Sequence, residues 1–257
     1  MQICYIDRVI VAVTNLAAAR DSWQSAGFSL SSTGEARDSI SFAAGALEIE
    51  LCTASSDGTG PLADGIREAA SRGGGIVGWV WGARDVDRRG TRVALADAAE
   101  AHVPERVLNG VFHAAREADG DFDFRRSRLR ERCGVNSNTV DYLDHIVVMA
   151  PALEEAIAAY ESLGVPCKRV REAGRGIRQA FFKLEQTVIE VAGPARGRPG
   201  CWGLAFMCAD ICKAIADARA RGLQATEPKR AVQGGQIARL VEPLDGVSVA
   251  FMQAPAS

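Results

Sequence analysis

The chain is short of most features that would set it apart from ordinary globular proteins. No apolar run reaches the roughly 18 residues needed to cross a bilayer, and the first apolar stretch, Met1 to Val13, is interrupted by Asp7 and Arg8 and has no basic leader. It therefore reads as a strand and not as a signal peptide. An excess of one charge is also missing, since 30 Lys and Arg stand against 32 Asp and Glu for a formal net charge of −2. Such a surface has no field to gather phosphate backbones, so nucleic acid is excluded as a partner. The one basic run, Arg125 to Arg132, is expected to be a solvated turn or helix face. Paired cysteines are lacking too: there are 7, an odd number, and none shows Cys-x-x-Cys spacing. Neither a disulfide framework nor a zinc knuckle fits, and reduced, mostly buried thiols point to a cytoplasmic protein. What remains is 257 residues, 47% hydrophobic and 24% charged, enough for one large domain or two small ones.

The main positive signal is internal repetition. Tyr5-Ile6-Asp7-Arg8-Val9-Ile10-Val11-Ala12 aligns with Tyr142-Leu143-Asp144-His145-Ile146-Val147-Val148-Met149. Each copy continues into a helical pattern that stops at glycine, Leu16 to Ala26 before Gly27 and Leu153 to Leu163 before Gly164. Glycine there supplies the left-handed residue that ends a helix. Strand-like runs follow, Ser39 to Ala43 and Leu47 to Leu51 in the first copy, Gln179 to Lys183 and Thr187 to Val191 in the second, with Glu50 and Glu190 at matching points.

A variant unit appears twice more. Gly78-Trp79-Val80-Trp81-Gly82-Ala83-Arg84-Asp85 aligns with Gly203-Leu204-Ala205-Phe206-Met207-Cys208-Ala209-Asp210, each Asp placed to cap the next helix. The last unit continues as helix Ile211 to Arg221 and strands Gln224 to Ala231, Gln236 to Glu242 and Val247 to Met252. In the other, strands are expected at Glu105 to Leu108, Val111 to Ala115 and Asp121 to Arg125, and an inserted helix near Leu62 to Ser71 precedes that unit. One βαβββ unit leaves a sheet face bare, so two must pair. The expected fold is α+β, four βαβββ modules paired into two curved eight-stranded sheets, with residues 1–135 and 136–257 as the two domains.

With Leu143-Asp144-His145 on a first strand and Val188-Ile189-Glu190 on a fourth, the sequence resembles the vicinal oxygen chelate superfamily of glyoxalases, epimerases, extradiol dioxygenases and bleomycin-resistance proteins. The resemblance is sharp only from Tyr142 to Pro194. It implies a cup that holds a divalent metal, of the Zn, Fe, Mn, Ni or Co kind, against two neighbouring oxygens of a small substrate. His145 and Glu190 fall on ligand positions, Glu190 also being a candidate base, which suggests a metal-dependent lyase or isomerase.

This chain departs from the superfamily where the partner module should supply further ligands, offering Gly203 and Ala250. That counts against ring cleavage, and Arg8 in place of histidine beside Glu50 suggests a non-catalytic secondary cup held by an ion pair. On strand alternation, Leu143, His145 and Val147 share a face. Arg178, Lys183 and Arg239 are placed at the cup mouth, where cations suit a carboxylate or phosphate. Trp202 and Phe206, with Trp79 and Trp81, could instead hold an aromatic or drug-like ligand in a metal-free binding protein, with Gly78 and Gly203 enlarging the cup. The chain is expected to act as a monomer or homodimer on a small molecule.

Overall fold

The computed structural model describes residues 2–32, 39–54, 59–84, 101–102, 111–118, 120–196, 199–232 and 234–255. Two mixed sheets organise the chain. The N-terminal sheet is built from β1 (Gln2–Ala12), β2 (Ser31–Ser32), β3 (Ser39–Ala44), β4 (Leu47–Cys52), β5 (Gly75–Arg84), β6 (Ala101–His102) and β7 (Phe112–Glu117), in the order β2-β3-β4-β1-β5-β7-β6. The C-terminal sheet has β8 (Val140–Met149), β9 (Arg169–Gly174), β10 (Ile177–Leu184), β11 (Thr187–Gly193), β12 (Gly200–Cys208), β13 (Lys229–Arg230), β14 (Gln236–Arg239) and β15 (Ser248–Gln253), in the order β13-β14-β15-β12-β8-β11-β10-β9. In both, the first strands of two modules pair antiparallel at the centre and each pairs parallel with its own module's last strand. The paired-module α+β architecture expected from the repeats is therefore present. The N-terminal sheet has seven strands among the described residues, and the expected strand Glu105 to Leu108 and the cap Asp85 lie outside them.

The repetition extends to irregularities that no hydropathy pattern reveals. The central pairing skips one residue at Cys4 and Asp7 in β1 and at Asp141 and Asp144 in β8, and again at Val77 in β5 and Trp202 in β12. An extra residue in one strand re-aims the side chains beyond it. Thus Ile6, Val9 and Val11 all enter one apolar core, as do Leu143, Ile146 and Val148, although three residues separate the first two of each set. Strict alternation fails here: Leu143 is fully buried on the core side while His145 and Val147 face the opposite way.

Among the described residues five helices join the strands. In α1 (Leu16–Ser25), Asn15 caps by accepting from the Ala18 amide at 3.0 Å, and in α5 (Ile211–Ala220) Asp210 does so for Lys213 at 2.9 Å. These helices and α4 (Leu153–Ser162) bury Trp23, Tyr160, Ile211 and Ile215 on the core face of their sheets. One continuous core then serves both halves. Phe28 and Phe42 lie 5.0 and 6.2 Å from the Phe206 ring, and Trp23 Nε1 donates to Asp245 Oδ2 at 2.9 Å.

The remaining two helices have no counterpart among the described residues of the C-terminal half. Helix α2 (Pro61–Ala70) buries Leu62, Ile66 and Ala69 against Ile10, Ala12, Val77, Val80, Phe112 and Ala114, the opposite face of the N-terminal sheet. The expected strand Asp121 to Arg125 is instead the start of α3 (Phe122–Cys133), because the Asp121 carboxylate caps the Phe124 amide at 2.9 Å. Leu129 and Cys133 of α3 pack on Ala43 of that same face. The basic run is thus helical but not wholly solvated. Arg125 is 2% exposed, lies 3.5 Å over the Tyr5 ring and donates to Glu185 of the other half at 2.5 Å. In the C-terminal half only six residues link β11 to β12, against 22 between β4 and β5, so no helix can be inserted there.

Candidate functional site

The consequence is that the two cups are unequal. In the N-terminal cup, Arg8 Nη1 donates to Glu50 Oε2 at 3.0 Å, Arg8 Nε lies 3.5 Å from Glu48, Ser39 Oγ donates to Glu50 Oε1 at 3.0 Å, and Arg116 pairs with Asp7 at 3.1 Å. Arg132 of α3 closes on Glu48 at 2.5 Å. Burial alone would push Glu48 upward, but Arg8 and Arg132 outweigh it and hold the carboxyl below its ordinary range. With α3 seated above, this network lines a small pocket bounded by Asp7, Arg8, Glu48, Arg116, Arg128 and Arg132.

Among the described residues no helix covers the C-terminal cup. On its floor, His145 is 7% exposed, and its Nε2 lies 4.0 Å from Glu190 Oε2. The register explains the meeting: His145 pairs with Val188, one alternate position from Glu190 on the neighbouring parallel strand. The bulge at Asp144 turns that carboxylate to the same side, against His145 Nδ1. That carboxylate lies beside Nδ1, and the other ring nitrogen, Nε2, faces Glu190. Gln179 Nε2 donates to Glu190 Oε1, and Arg171 Nε donates to Gln179 Oε1 at 2.7 Å. Desolvation holds the Glu190 carboxyl above the usual carboxylate range, opposed by His145 and Arg171. A base in that condition is better matched to neutral pH than an exposed glutamate.

The other residues placed at the cup by sequence divide. Lys183 follows Gln179 and Phe181 on the cup face, with its ammonium donating to the Gln186 carbonyl at 2.5 Å and its pKa lowered by burial against the pull of Asp144. Arg239 is exposed and in register with Ala250, which pairs with Ala205 and so with His145, putting it three strands, about 14 Å, away on the far rim. Arg178 lies on the helix side, where it pairs with Glu154 and Glu172. Phe206 is fully buried against Phe28 and faces the shared core, whereas Trp202 is 51% exposed. The bulge at Trp202 separates two residues that simple alternation puts on one face. Trp79 and Trp81 are likewise fully buried, enclosing His113 with ring centroids 4.5 and 5.6 Å away. They hold no ligand in a cup.

The glycines do not enlarge the cups. A Cβ on Gly78 would stand 1.9 Å from the Phe112 carbonyl oxygen and one on Gly203 would stand 2.4 Å from that of Ser248. Backbone closeness, not cavity volume, requires glycine at both positions.

A resident metal was tested against the donor set. The 4.0 Å gap between His145 and Glu190 suits two ligands of one ion at about 2.1 Å each. The rest of the shell is missing: Ala205 and Ala250 continue the row of His145, Gly203 and Ser248 that of Val147, and none offers a metal-binding side chain of the His, Cys or carboxylate type. Among the described residues no group of three or more His, Cys, Asp and Glu is arranged to hold an ion. Cysteine does not fill the gap either. Burial pushes the Cys201 thiol far up and the Cys208 thiol up to about 11, Cys208 sits in the shared core, and Cys212 is exposed on α5. Two donors are fewer than the three protein ligands of catalytic zinc sites, so the residues present do not fit a resident metal.

Asp144, Arg169 and Arg171 carry the polar surroundings of the site and were not singled out from sequence. Asp144 stood inside the quoted Leu-Asp-His motif, but only the bulge gives it a role.

Comparison with known proteins agrees with this architecture. Residues 144–238 match the family model described as Glyoxalase/Bleomycin resistance protein/Dioxygenase superfamily, which puts that similarity in the C-terminal half. Two solved structures share the fold of the whole chain. A triple mutant of 4-hydroxymandelate synthase from Streptomyces coelicolor has a TM-score of 0.70 at 14% identity, covering 99% of this chain and 94% of that one. A xylose isomerase-like TIM barrel/4-hydroxyphenylpyruvate dioxygenase fusion protein also has a TM-score of 0.70 at 14% identity, covering 100% of this chain and 50% of that one. Methylmalonyl-CoA epimerase from Mycobacterium tuberculosis has a TM-score of 0.41 at 21% identity, covering 48% of this chain and 93% of that one. No curated protein matches the sequence significantly.

Proposed function

We propose that the C-terminal cup is the active site of an isomerase or lyase that moves a proton on a small carbonyl compound with adjacent oxygens. The observation that carries this is the 4.0 Å gap between Glu190 Oε2 and His145 Nε2 on an uncovered sheet face. That distance is too long for a hydrogen bond and leaves both groups able to reach one bound molecule. Glu190 takes the proton from the carbon beside the carbonyl, the C–H electron pair becomes the new C=C bond, and the carbonyl oxygen takes a proton from the imidazolium Nε2. Return of both protons regenerates the residues. Asp144 stabilises the imidazolium before transfer, and Gln179 keeps the second Glu190 oxygen turned away from the reacting carbon.

No step is assigned to a metal. Seven free cysteines suit a reducing, cytoplasmic setting. Among the described residues no helix is long and apolar enough to cross a membrane.

A second reading is a binding protein without chemistry, which the half-buried Val147, Met149, Met207 and Met252 on the C-terminal sheet favour.

Proton exchange separates the two. In D2O, wild-type protein treated with chelator should wash deuterium into the acidic carbon of at least one member of a panel of 2-oxo acids and hydroxyketones, followed by proton NMR. Glu190→Gln should lower that rate by about 100-fold or more, within the range general base catalysis supplies. Exchange unchanged in Glu190→Gln sinks the assignment. Exchange that disappears with chelator and returns with one equivalent of metal shows that the metal reading was wrongly set aside.

A further inference from the structure

The edge strand β9 carries the strongest cationic feature of the open cup. Arg169 and Arg171 pair in register with Phe181 and Gln179, and so share the face of the sheet that Glu190 occupies. Their guanidinium carbons lie 5.1 and 5.2 Å from the centroid of the same Phe181 ring. Two like charges on one ring repel each other unless an anion lies between or beside them. Among the described residues neither forms an ion pair with a carboxylate, and Arg171 spends only its Nε on Gln179. Across the cup face, Arg169, Arg171, Lys183 and Arg239 outnumber the two carboxylates, Asp144 and Glu190. Both guanidinium groups lie within cation–π range of the one ring, which gathers their remaining N–H donors on the same side of the strand.

We propose that Arg169 and Arg171, steadied on Phe181, form an oxyanion-binding subsite that takes the carboxylate or phosphate of the same small molecule whose carbon reacts at Glu190. This rests on the reading of the C-terminal cup as the substrate site. Phe181 is the direct register partner of Glu190, and Arg169 is one strand further out. With strands about 4.8 Å apart, the anionic group and the reacting carbon are separated by roughly 5 to 10 Å. The substrate class is therefore an acid or phosphate ester a few bonds longer than its reactive carbonyl. Arg171 has a second task, since through Gln179 it fixes the Glu190 oxygen that does not face His145.

Isothermal titration of the full chain at low salt tests this with inorganic phosphate, succinate and the neutral isostere succinamide. At least one anion should bind, with succinamide at least 10-fold weaker, and the tighter anion tells carboxylate from phosphate. The double variant Arg169→Gln, Arg171→Gln should lose at least 10-fold in anion affinity, while Glu190→Gln, which removes a nearby negative charge, should bind the anion as well or better. Arg169 is exposed and Arg171 half-buried on an edge strand, so circular dichroism should show the double variant folded. Succinamide binding as tightly as succinate, no anion binding, or an unchanged double variant would each overturn the subsite. Arginine-dependent anion binding together with proton exchange indifferent to Glu190→Gln would keep the subsite and sink only the proposed chemistry.

Discussion

Replacing Phe206 or Trp202 by alanine tests the bulge that decides which side chains reach the cup. The two are four residues apart on one strand, so unbroken alternation predicts the same face and similar costs. The structure separates them. Phe206 is fully buried, with ring centroids of Phe28 and Phe42 at 5.0 and 6.2 Å, and it sits where the cores of the two halves meet. Truncation there removes the ring's transfer free energy and leaves a cavity that neighbours from two sheets cannot both close, a loss of about 3–5 kcal/mol. Trp202 is 51% exposed, and its removal should cost under about 1 kcal/mol, since little area leaves contact. Urea titration followed by far-ultraviolet circular dichroism measures both, comparing midpoints at matched slopes. Because Phe206 ties the halves together, its variant should also separate into two transitions, one per sheet. Equal destabilisation by the two variants, or a cost for Trp202→Ala above 2 kcal/mol, would refute the assignment of faces.

The remaining predictions concern the N-terminal network and the central strands. Glu48→Gln should destabilise by about 3 kcal/mol at pH 7, because Arg8 and Arg132 lose their shared buried partner. Glu48 has a depressed folded pKa, so its contribution is complete above the ordinary carboxylate value of 4.5 and fades as pH falls through the lower folded value; wild type and variant should converge there in acid unfolding curves. Gly203→Ala should destabilise more than the usual strand substitution, since its Cβ would lie 2.4 Å from the Ser248 carbonyl oxygen. Thermal melts in which Gly203→Ala matches wild type would show that the backbone has room, and with it room for a ligand-bearing side chain.

The fold was largely legible because it is repeated: the same strand, helix and glycine stop recur in both halves, and such a recurrence is hard to produce by chance. Helix limits were set by local chemistry, Asn15 and Asp210 as caps and Gly27 and Gly164 as stops, and those could be read directly. What escaped was tertiary. Asp121 heads a helix of mean apolar character too low to advertise itself, held instead by Leu129, Cys133 and Arg125 against strands far away in sequence. Side-chain direction on the central strands also escaped, because a bulge is a property of the pairing and leaves no mark on either strand alone. Leu143 was read by parity across that break, and Phe206 and Trp202 were placed together in one cup. The pairing of Arg171 with Gln179 needed the register of β9, a strand whose residues are mostly exposed and show no apolar alternation.

The duplicated frame allows one half to be read as a control for the other. Both first strands bulge at an aspartate, at Asp7 and Asp144, and both fourth strands carry a glutamate on the cup face. The backbone device that brings an acidic residue and its neighbour to one side therefore precedes any difference in use. What differs is the neighbour and the cover. Arginine at position 8 fixes a permanent charge that Glu48 and Glu50 neutralise. Histidine at position 145 carries no permanent charge, and Glu190 stands 4.0 Å off, too far for a hydrogen bond. Covering a cup with α2 and α3 stabilises a closed ionic network, whereas an unsatisfied pair gains from an open face through which a partner can enter. The combination of a titratable residue, an unmade contact and a missing cover occurs in the C-terminal cup alone among the described residues, and this coincidence is the physical reason for placing function there.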